Sequence, residues 1–323
     1  MPKSSFATAR TITARPDANA ATPAHGRPAS NNYVGRFAPS PTGQLHLGTL
    51  TAAVASYLHA RQSKGTWLVR VENIDPPREV AGSASAILES LEALDLEWDG
   101  EVLYQSTRLT THLEAAGKLV ADEAAYYCDC SRQQIRSLTG SARYPGTCRQ
   151  RSVPPGDAAI RLRVGDVPVA FTDGIQGEIE RDIEACDGDF VIVRRDGLPA
   201  YHLAVVLDDA WQGVTDVVRG ADLVDSTPLH IHLQRVLGLH TPRYWHIPLI
   251  TDAAGQKLSK SAGAAAIDRK APEQAAAAAL ALLGLTVPTE LKGARPRVLW
   301  DWASDHWRLE SLAARPGPIV LGK

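Results

Sequence analysis

The sequence predicts an α/β protein in which strands and helices alternate along the chain. Residues 33–37 have the pattern of a strand, residues 38–43 contain two prolines and a glycine, and apolar residues then recur at helical spacing up to Leu58. The same order follows at once, because residues 66–71 read as a second strand and residues 83–94 as an amphipathic helix. Repeated strand–helix units of this kind are typical of a parallel sheet covered by helices.

The composition is that of a folded globular protein with one large or two modest domains. The chain has 323 residues, of which 44% are hydrophobic and 22% are charged. Its net charge of −2 excludes a generally basic surface, so any contact with nucleic acid must come from a local patch. No apolar run approaches the roughly 18 residues of a membrane-spanning helix, and no membrane partner is expected.

The first 31 residues differ in composition from the rest of the chain. They are rich in Ala, Thr, Ser, Pro and Arg, contain Asp17 as their only acid, and lack both an apolar segment and a helical period. This composition predicts a disordered tail. An organellar transit peptide is the alternative, although the prolines oppose a continuous amphipathic helix.

The loop and helix after the first strand form a candidate phosphate site. A strand, a Pro/Gly loop and a helix together present the free N–H groups of a helix N-terminus to an anion. His46 is expected at this entrance, and Gly48 would let a bulky ligand lie close to the backbone. A short His-x-Gly motif also occurs by chance, so taken alone it favours an ordinary strand–helix turn.

A second motif stands far downstream, at residues 257–261, which read Lys-Leu-Ser-Lys-Ser. It follows a polar, glycine-containing loop, and its two lysines, Lys257 and Lys260, suit the stabilisation of negative charge on a transferring phosphate. A loop of lysine and serine is by itself usually a solvated surface. Its occurrence together with His46 and Gly48 favours a functional role for both motifs.

The pair of motifs resembles the class I aminoacyl-tRNA synthetases. Residues 46–49, His-Leu-Gly-Thr, correspond to the family pattern His-Ile-Gly-His, and residues 257–261 to Lys-Met-Ser-Lys-Ser. The run Arg-Phe-Ala-Pro-Ser-Pro-Thr-Gly-x-Leu-His-x-Gly at residues 36–48 is similar to the glutamyl/glutaminyl branch. The resemblance covers residues 33–261 and implies a doubly wound parallel sheet of Rossmann type, split by a zinc-bearing insert and followed by a small helical subdomain. The expected boundaries are 1–31 for the tail, 32–262 for the catalytic domain and 263–323 for the helical subdomain.

Two residues at strand ends are candidates for binding an amino acid. Ligands of open parallel sheets bind beyond the carboxyl ends of strands, where Glu72 could receive an amino group. Arg219 ends a short apolar strand, and its guanidinium could pair with a carboxylate and so select glutamate over glutamine. The resemblance implies the same roles and adds further contacts. The implied glutamate-binding residues are Arg36, Phe37, Ala38, Pro39, Ser40, Glu72, Tyr201 and Arg219.

The resemblance also implies how ATP is bound and used. His46, Gly48 and Lys260 are the expected ATP-binding residues, and His46, Lys257 and Lys260 the expected catalytic residues. Mg²⁺ is expected to accompany ATP. Adenylate formation is an in-line attack of a carboxylate on the α-phosphate, so positioning and charge stabilisation matter more than a general base.

Three of the four cysteines, Cys128, Cys130 and Cys148, lie close together in the sequence. This pattern points to a metal site and a reducing, cytoplasmic compartment, although three buried thiols fit the residues about equally well. Short members of the family carry a similar Cys-x-Cys…Tyr-x-x-x-Cys insert, which implies an insert around residues 125–150 with Tyr144 as a fourth ligand. One structural Zn²⁺ per chain is then expected. Cys186 stands apart and is expected to be a free thiol.

Turn signals and periodicity predict the remaining elements. Asp196 and Gly197 predict the turn of a hairpin whose arms are residues 189–195 and 198–201. Further predicted elements are helices at 228–237 and 272–283, a strand at 245–250, and core positions for Trp300, Trp302 and Trp307.

The number of residues after the lysine motif indicates which kind of glutamyl-type synthetase the chain resembles. Only residues 262–323 follow it, whereas full-length glutamyl-type synthetases add a large anticodon-binding region there. The chain thus resembles the short members that activate L-glutamate with ATP, without tRNA, and transfer it to queuosine in the anticodon of tRNA(Asp). The alternatives are a truncated enzyme that charges a tRNA 3′ end, and an inactive paralogue that only binds RNA or protein. ATP, L-glutamate and the anticodon loop of tRNA(Asp) are the expected partners of a monomer.

Overall fold

The computed structural model describes residues 33–166, 168–251, 266–314 and 317–320. The predicted tail at residues 1–31 and the lysine motif at residues 257–261 lie outside these ranges, so the predictions made for them stay predictions. Within the described ranges, no helix is both long enough and apolar enough to cross a membrane.

Three parallel strands with two connecting helices form the first half of the main sheet. These elements are β1 (Val34–Phe37), α1 (Leu47–Gln62), β2 (Thr66–Val71), α2 (Ser83–Ala93) and β3 (Leu103–Tyr104). β2 pairs with both β1 and β3, and Val34 lies opposite Thr66 while Arg70 lies opposite Leu103. The two strand–helix units predicted from the sequence are therefore confirmed.

An antiparallel region follows β3. Its elements are α3 (Leu109–Ala121), β4 (Ala125–Cys128), α4 (Arg132–Thr139), β5 (Ala159–Leu162), β6 (Val169–Asp173), β7 (Gly177–Arg181), α5 (Ile183–Cys186) and β8 (Val191–Val193). β5 lies between β4 and β8 in a three-stranded antiparallel sheet, while β6 and β7 form a separate hairpin. The cysteine segment around residues 125–150 is thus one part of a larger antiparallel region.

The chain then returns to the main sheet. The returning elements are α6 (Tyr201–Trp211), β9 (Asp216–Gly220), α7 (Thr227–Val236), β10 (Arg243–Ile247) and β11 (Ile250–Thr251). β9 pairs in parallel with β10, and the N–H of Thr215 donates to the carbonyl of Val34 at 2.9 Å, which sets β9 beside β1. The parallel strands thus form two ladders, β1-β2-β3 and β9-β10, with β9 beside β1, and the predicted α/β fold with parallel strand pairing is confirmed.

Hydrophobic cores cover both faces of this sheet. Val217 and Val218 are neighbours in β9 but belong to different cores, because successive side chains of a strand point to opposite faces. Residues of α1 and α2 line one core, and residues of α3, α6 and α7 line the other. The carboxyl ends of β1, β2 and β9 therefore open between two packed layers.

The last helices complete the first core. α8 (Pro272–Leu282) and α9 (Pro296–His306) pack against α1, and β12 (Ile319–Val320) pairs with β11. Trp300 and Trp307 are buried, Trp302 packs against the same core, and Trp300 Nε1 donates to the carbonyl of Leu94 at 2.6 Å. The predicted packing of the three tryptophans is confirmed.

The hairpin predicted at residues 189–201 forms only in part. The turn is present, with Gly197 at a φ of +79° and the N–H of Arg194 bonded to the carbonyl of Leu198 at 2.8 Å. The second arm is shorter than predicted: Pro199 forms a bridge with Val193, the N–H of Ala200 donates to the carbonyl of Ile192 at 2.9 Å, and Tyr201 already begins α6. The pairing therefore ends where α6 begins.

Candidate active site

A cavity of about 570 Å³ opens at the carboxyl ends of β1, β2 and β9. This is the position at which parallel α/β sheets bind ligands. It gathers the glutamate and phosphate residues predicted from the described part of the chain. Its lining includes Arg36, Phe37, Ala38, Pro39, Ser40, His46, Gly48, Glu72, Tyr201 and Arg219.

His46 is the N-cap of α1 and faces this cavity. Its Nδ1 accepts the N–H of Thr49 at 3.3 Å, and its Nε2 lies 2.8 Å from the Thr49 hydroxyl, to which it therefore donates. The first turn of α1 carries no acidic side chain, so no carboxylate of that turn neutralises the positive end of the helix dipole at the cavity. Thr49 thus orients the histidine that precedes the helix.

The segment that carries Lys257 and Lys260 lies outside the described residues, but both of its neighbours lie at this cavity. Ile250 of β11 is one of the lining residues. On the other side, Ala266 forms an antiparallel bridge with His46, and the N–H of Ile267 donates to the carbonyl of Leu45 at 3.0 Å. The described residues on the two sides of this segment therefore lie at the cavity and at the N-cap of α1.

A buried charge network lies beneath the cavity. Asp209 accepts from Arg36 at 3.0 and 3.3 Å and from Arg70 at 2.7 Å, while Arg70 also contacts Glu72 at 3.2 Å. Burial raises the pKa of Asp209, but the two arginines outweigh it and hold that pKa below its usual range. Burial also dominates at Glu72 and raises its pKa despite Arg70 and Arg36. A ligand ammonium would favour the ionised form of Glu72.

Arg219 is a buried cation with neutral neighbours. It is 6% exposed, and its N–H groups contact the Tyr201 hydroxyl at 3.3 Å, the Thr227 hydroxyl at 2.8 Å and the Leu223 carbonyl at 3.3 Å. Among the residues that the structure describes, no carboxylate forms an ion pair with Arg219. A buried unpaired charge is costly, so this guanidinium is suited to receive an anionic ligand.

Sequence reasoning missed four polar residues that organise this site. Asp209, which pairs with Arg36, adjoins Asp208 in an otherwise apolar segment, and that pair of acids was the available signal. Thr227 and His246 bond to Arg219, and Asp173 bonds to His246, but no local pattern identifies any of the three.

His202 follows Tyr201 in α6 and lies beside a second histidine. Its Nδ1 lies 3.1 Å from Nε2 of His230, whose Nδ1 lies 3.5 Å from Arg219 Nη1. Burial, followed by the charge of Arg219, lowers the pKa of His202 to about 4. The same two causes hold the pKa of His230 well below its usual value, so both rings are neutral around neutral pH.

The cysteine segment brings four potential ligands together. The sulfur atoms of Cys128, Cys130 and Cys148 lie within 4.8 Å of one another, and the Tyr144 hydroxyl is 3.3 Å from Cys128 Sγ and 4.0 Å from Cys130 Sγ. Tetrahedral zinc–thiolate geometry places sulfurs about 3.8 Å apart. Three thiols and a phenol at these distances fit a Zn²⁺ site. Cys186 lies outside this group, exposed and not in a disulfide.

The electrostatics of the cluster favour a cation at its centre. Burial raises the pKa of Cys130 to about 12, and the neighbouring sulfurs of Cys148 and Cys128 add to the rise. Burial opposes ionisation of Cys128 too, but bonds from Tyr144, the Cys130 N–H and Arg161 bring that pKa below its usual value. A divalent cation would relieve the repulsion among these ligands.

Comparison with known proteins places the chain among its relatives. The sequence model of tRNA synthetases class I (E and Q), catalytic domain, matches residues 33–292. A glutamyl-Q tRNA(Asp) synthetase of Ectopseudomonas mendocina is 51% identical over 275 residues, which are 85% of this chain and 93% of that relative. One of Thiobacillus denitrificans is 50% identical over 290 residues, covering 88% and 96% of the two chains.

The fold also resembles that of solved synthetase structures. The glutamate tRNA ligase of Elizabethkingia meningosepticum, solved in complex with its amino acid, superimposes with a TM-score of 0.73 at 24% identity. The match covers 89% of this chain and 67% of the ligase, and a glutamate-tRNA synthetase of Elizabethkingia anophelis gives a TM-score of 0.74. At this identity the likeness shows the fold.

The fold, the cavity and the match over residues 33–292 define a class I tRNA synthetase of the glutamate and glutamine type. Relatives that are about 50% identical over most of this chain are named glutamyl-Q tRNA(Asp) synthetases. The chain belongs to the family of glutamyl-Q tRNA(Asp) synthetases.

Proposed function

We propose that this chain is a ligase that activates L-glutamate with ATP, without tRNA, and transfers the glutamyl group to queuosine in the anticodon of tRNA(Asp). The names of its relatives support this function. The structural observation that carries it is the buried cation of Arg219, which has no carboxylate partner among the described residues and lines one cavity with Glu72.

Glutamate fits the two charges of this cavity. Glu72 is proposed to bind the α-ammonium, and Arg219 with Tyr201 the side-chain carboxylate, an arrangement that rejects the neutral amide of glutamine. Arg36 is already paired with Asp209, so its proposed part is to complete the pocket together with the backbone of residues 37–40. Each end of the substrate then meets the opposite charge.

Adenylate formation is proposed to occur at the N-terminus of α1. The carboxylate of glutamate attacks the α-phosphate of ATP, which enters as its Mg²⁺ complex, and pyrophosphate leaves. His46 and Lys260 bind the phosphates, Lys257 adds a second positive charge, and Gly48 lets the nucleotide approach the backbone. The free helix N–H groups contribute to the same stabilisation of negative charge.

The antiparallel region is proposed to hold one structural Zn²⁺ on Cys128, Cys130, Tyr144 and Cys148. These residues would hold the metal between the end of β4 and the segment before β5, and its binding would add to the stability of that region. We also propose the domain boundaries stated above, with residues 32–262 as the catalytic domain and residues 263–323 as the helical subdomain.

The proposed acceptor is a base of the anticodon loop. Single-stranded loops can present an unstacked base to a pocket, so queuosine could reach an adenylate held at the sheet edge. We propose that the chain acts as a monomer in the cytoplasm, where its tRNA substrate is found.

Mapping the position of transferred label tests this function. Labelled glutamate and ATP are incubated with tRNA(Asp) that carries queuosine, and the product is cut with nucleases. Label should stay on an anticodon fragment, survive removal of the terminal adenosine and be absent from tRNA that lacks queuosine. Label released with the terminal adenosine would establish a truncated glutamyl-tRNA synthetase, and absence of glutamate-dependent ATP–pyrophosphate exchange would establish an inactive paralogue.

A further inference from the structure

Two buried residues, His246 and Asp173, form a hydrogen-bonded chain that ends at the side chain of Arg219. The Nε–H of Arg219 donates to His246 Nε2 at 3.0 Å, and His246 Nδ1 lies 2.6 Å from Asp173 Oδ2. His246 is fully buried and Asp173 is 2% exposed. The three residues come from β9, β10 and the end of β6, so the contact joins the antiparallel region to the main sheet.

The bonding partners at each end fix the tautomer of the imidazole. Arg219 can only donate, so His246 Nε2 must accept and Nδ1 must carry the proton. Asp173 receives that proton's hydrogen bond as a carboxylate, because its other oxygen already accepts the N–H groups of Ile175 at 3.0 Å, Gln176 at 2.8 Å and His246 itself at 3.2 Å. Burial lowers the pKa of His246, and hydrogen bonds lower that of Asp173 against its burial, in agreement with this state.

We propose that His246, oriented by Asp173, is a positioning residue that aims the guanidinium of Arg219 at the side-chain carboxylate of glutamate. The inference rests on the proposed role of Arg219 in binding that carboxylate. It assigns glutamate recognition to two residues that lie behind Arg219 in the fold.

The neutral imidazole explains how Arg219 is fixed without losing its charge. A carboxylate in the place of His246 would form an ion pair, as Asp209 does with Arg36, and would cancel the charge that the substrate needs. An imidazole acceptor sets the direction of the guanidinium and leaves its charge uncompensated. The charge of Asp173 lies one ring further away.

Two substitutions of His246 distinguish a role in positioning Arg219 from a role in core packing alone. In His246→Gln, the amide oxygen can occupy the place of Nε2 and still accept from Arg219. In His246→Asn, the amide nitrogen can occupy the place of Nδ1 and still donate to Asp173, but no acceptor reaches Arg219. We expect the KM for glutamate in ATP–pyrophosphate exchange to rise about 10-fold or more in His246→Asn and less than about 3-fold in His246→Gln. The KM for ATP and the kcat should change little in both.

The opposite order, with His246→Asn nearer to wild type, would assign His246 only to satisfying Asp173 and would overturn the proposal, as would equal KM values in both variants. Arg219→Gln separates this failure from failure of the proposed function. If Arg219→Gln leaves the KM for glutamate unchanged, both ideas fall; if it raises KM while neither His246 variant does, only the positioning role falls.

Nitrogen-15 NMR of the ten histidines in the wild-type protein gives an answer even if the variants fold poorly. His246 should show a protonated Nδ1 and an unprotonated Nε2 at neutral pH. A protonated Nε2 at that pH would overturn the proposal.

Discussion

The guanidinium of Arg161 lies 3.8 Å from the centre of the Tyr144 ring. The same side chain donates from Nε to Cys128 Sγ at 3.2 Å and from Nη1 to the carbonyl of Asp189 at 2.7 Å. A cation so placed favours the anionic forms of both a thiol and a phenol. Three thiolates and a phenolate around Zn²⁺ would carry an excess of negative charge, and Arg161 is positioned to offset part of it.

Cys128→Ser should lose the metal. The purified wild-type protein is expected to contain about one zinc per chain, and the variant should contain little, because a closed structural site depends on each of its ligands. The variant should also melt at lower temperature, since the binding free energy contributes to folding. Metal analysis and thermal unfolding measure the two effects.

Cys186→Ser is the matched control for this prediction. Cys186 is exposed and lies outside the cluster, so its replacement should change neither the zinc content nor the melting temperature. Equal zinc content in wild type and Cys128→Ser would contradict the site.

Tyr144→Phe tests the least usual of the four ligands. The change removes a hydroxyl that lies 3.3 Å from Cys128 Sγ and accepts the N–H of Cys148 at 2.8 Å. Zinc affinity should fall by about 10-fold or more, the lower end of the range for losing a supporting contact. Competition with a chelator measures it, and Tyr127→Phe in β4 is the control. An unchanged affinity would leave Tyr144 as a packing residue.

Many residues that line the cavity could be predicted from the sequence because they belong to short, continuous patterns. Residues 36–48 form one continuous motif, and Glu72 and Arg219 each end or follow a recognisable strand. The parallel sheet could be predicted for the same reason. Local pattern was enough wherever a strand end carries the functional group.

Contacts between distant segments could not be predicted in this way. Arg36 and Asp209 are 173 positions apart, and Asp173 and His246 are 73 apart, so only the folded chain pairs them. The hairpin arm predicted at residues 198–201 is shorter in the structure for a different reason. The turn signal of Asp196 and Gly197 was correct, but the pairing stops after Ala200 because α6 begins at Tyr201.

Lys260→Ala should slow glutamate-dependent ATP–pyrophosphate exchange by about 100-fold or more, as the loss of one preorganised charge contact to a transition state typically does. Affinity for glutamate should change less, because the proposed contact is with phosphate. Lys270→Ala, at an exposed lysine of the described chain, is the control and should exchange at the wild-type rate. A rate within a few-fold of wild type for Lys260→Ala would remove Lys260 from the mechanism.

Asp209→Asn should destabilise the fold strongly. The carboxylate is the shared partner of Arg36 and Arg70, both buried, and its removal takes away the ion pair of Arg36 and leaves Arg70 with Glu72 alone among the described residues. The expected loss of unfolding free energy is about 3 kcal/mol or more, measured by urea denaturation. Asp122→Asn, at an exposed position after α3, should change stability by less than about 0.5 kcal/mol. Equal stability of the two variants would show that the network under the cavity is not needed for folding.

The paired histidines under the amino-acid pocket predict how stability depends on pH. The pKa of His202 is lowered to about 4 by burial and Arg219, whereas in the unfolded chain it returns to about 6.5. Between these values the unfolded state binds more protons than the folded state, so stability should fall as the pH falls from about 6.5 towards 4. His230, whose pKa is also lowered, acts in the same direction.

His202→Gln should flatten this dependence. Glutamine cannot take up a proton in this range, yet its amide can still bond to His230, so the pocket keeps its contact. Urea unfolding at pH 7 and pH 5 should show a smaller loss of stability in the variant than in wild type. His240→Gln removes an exposed histidine instead and should lose as much stability as wild type. If His202→Gln also loses as much as wild type, other acid-sensitive groups account for the pH dependence and the buried pair does not.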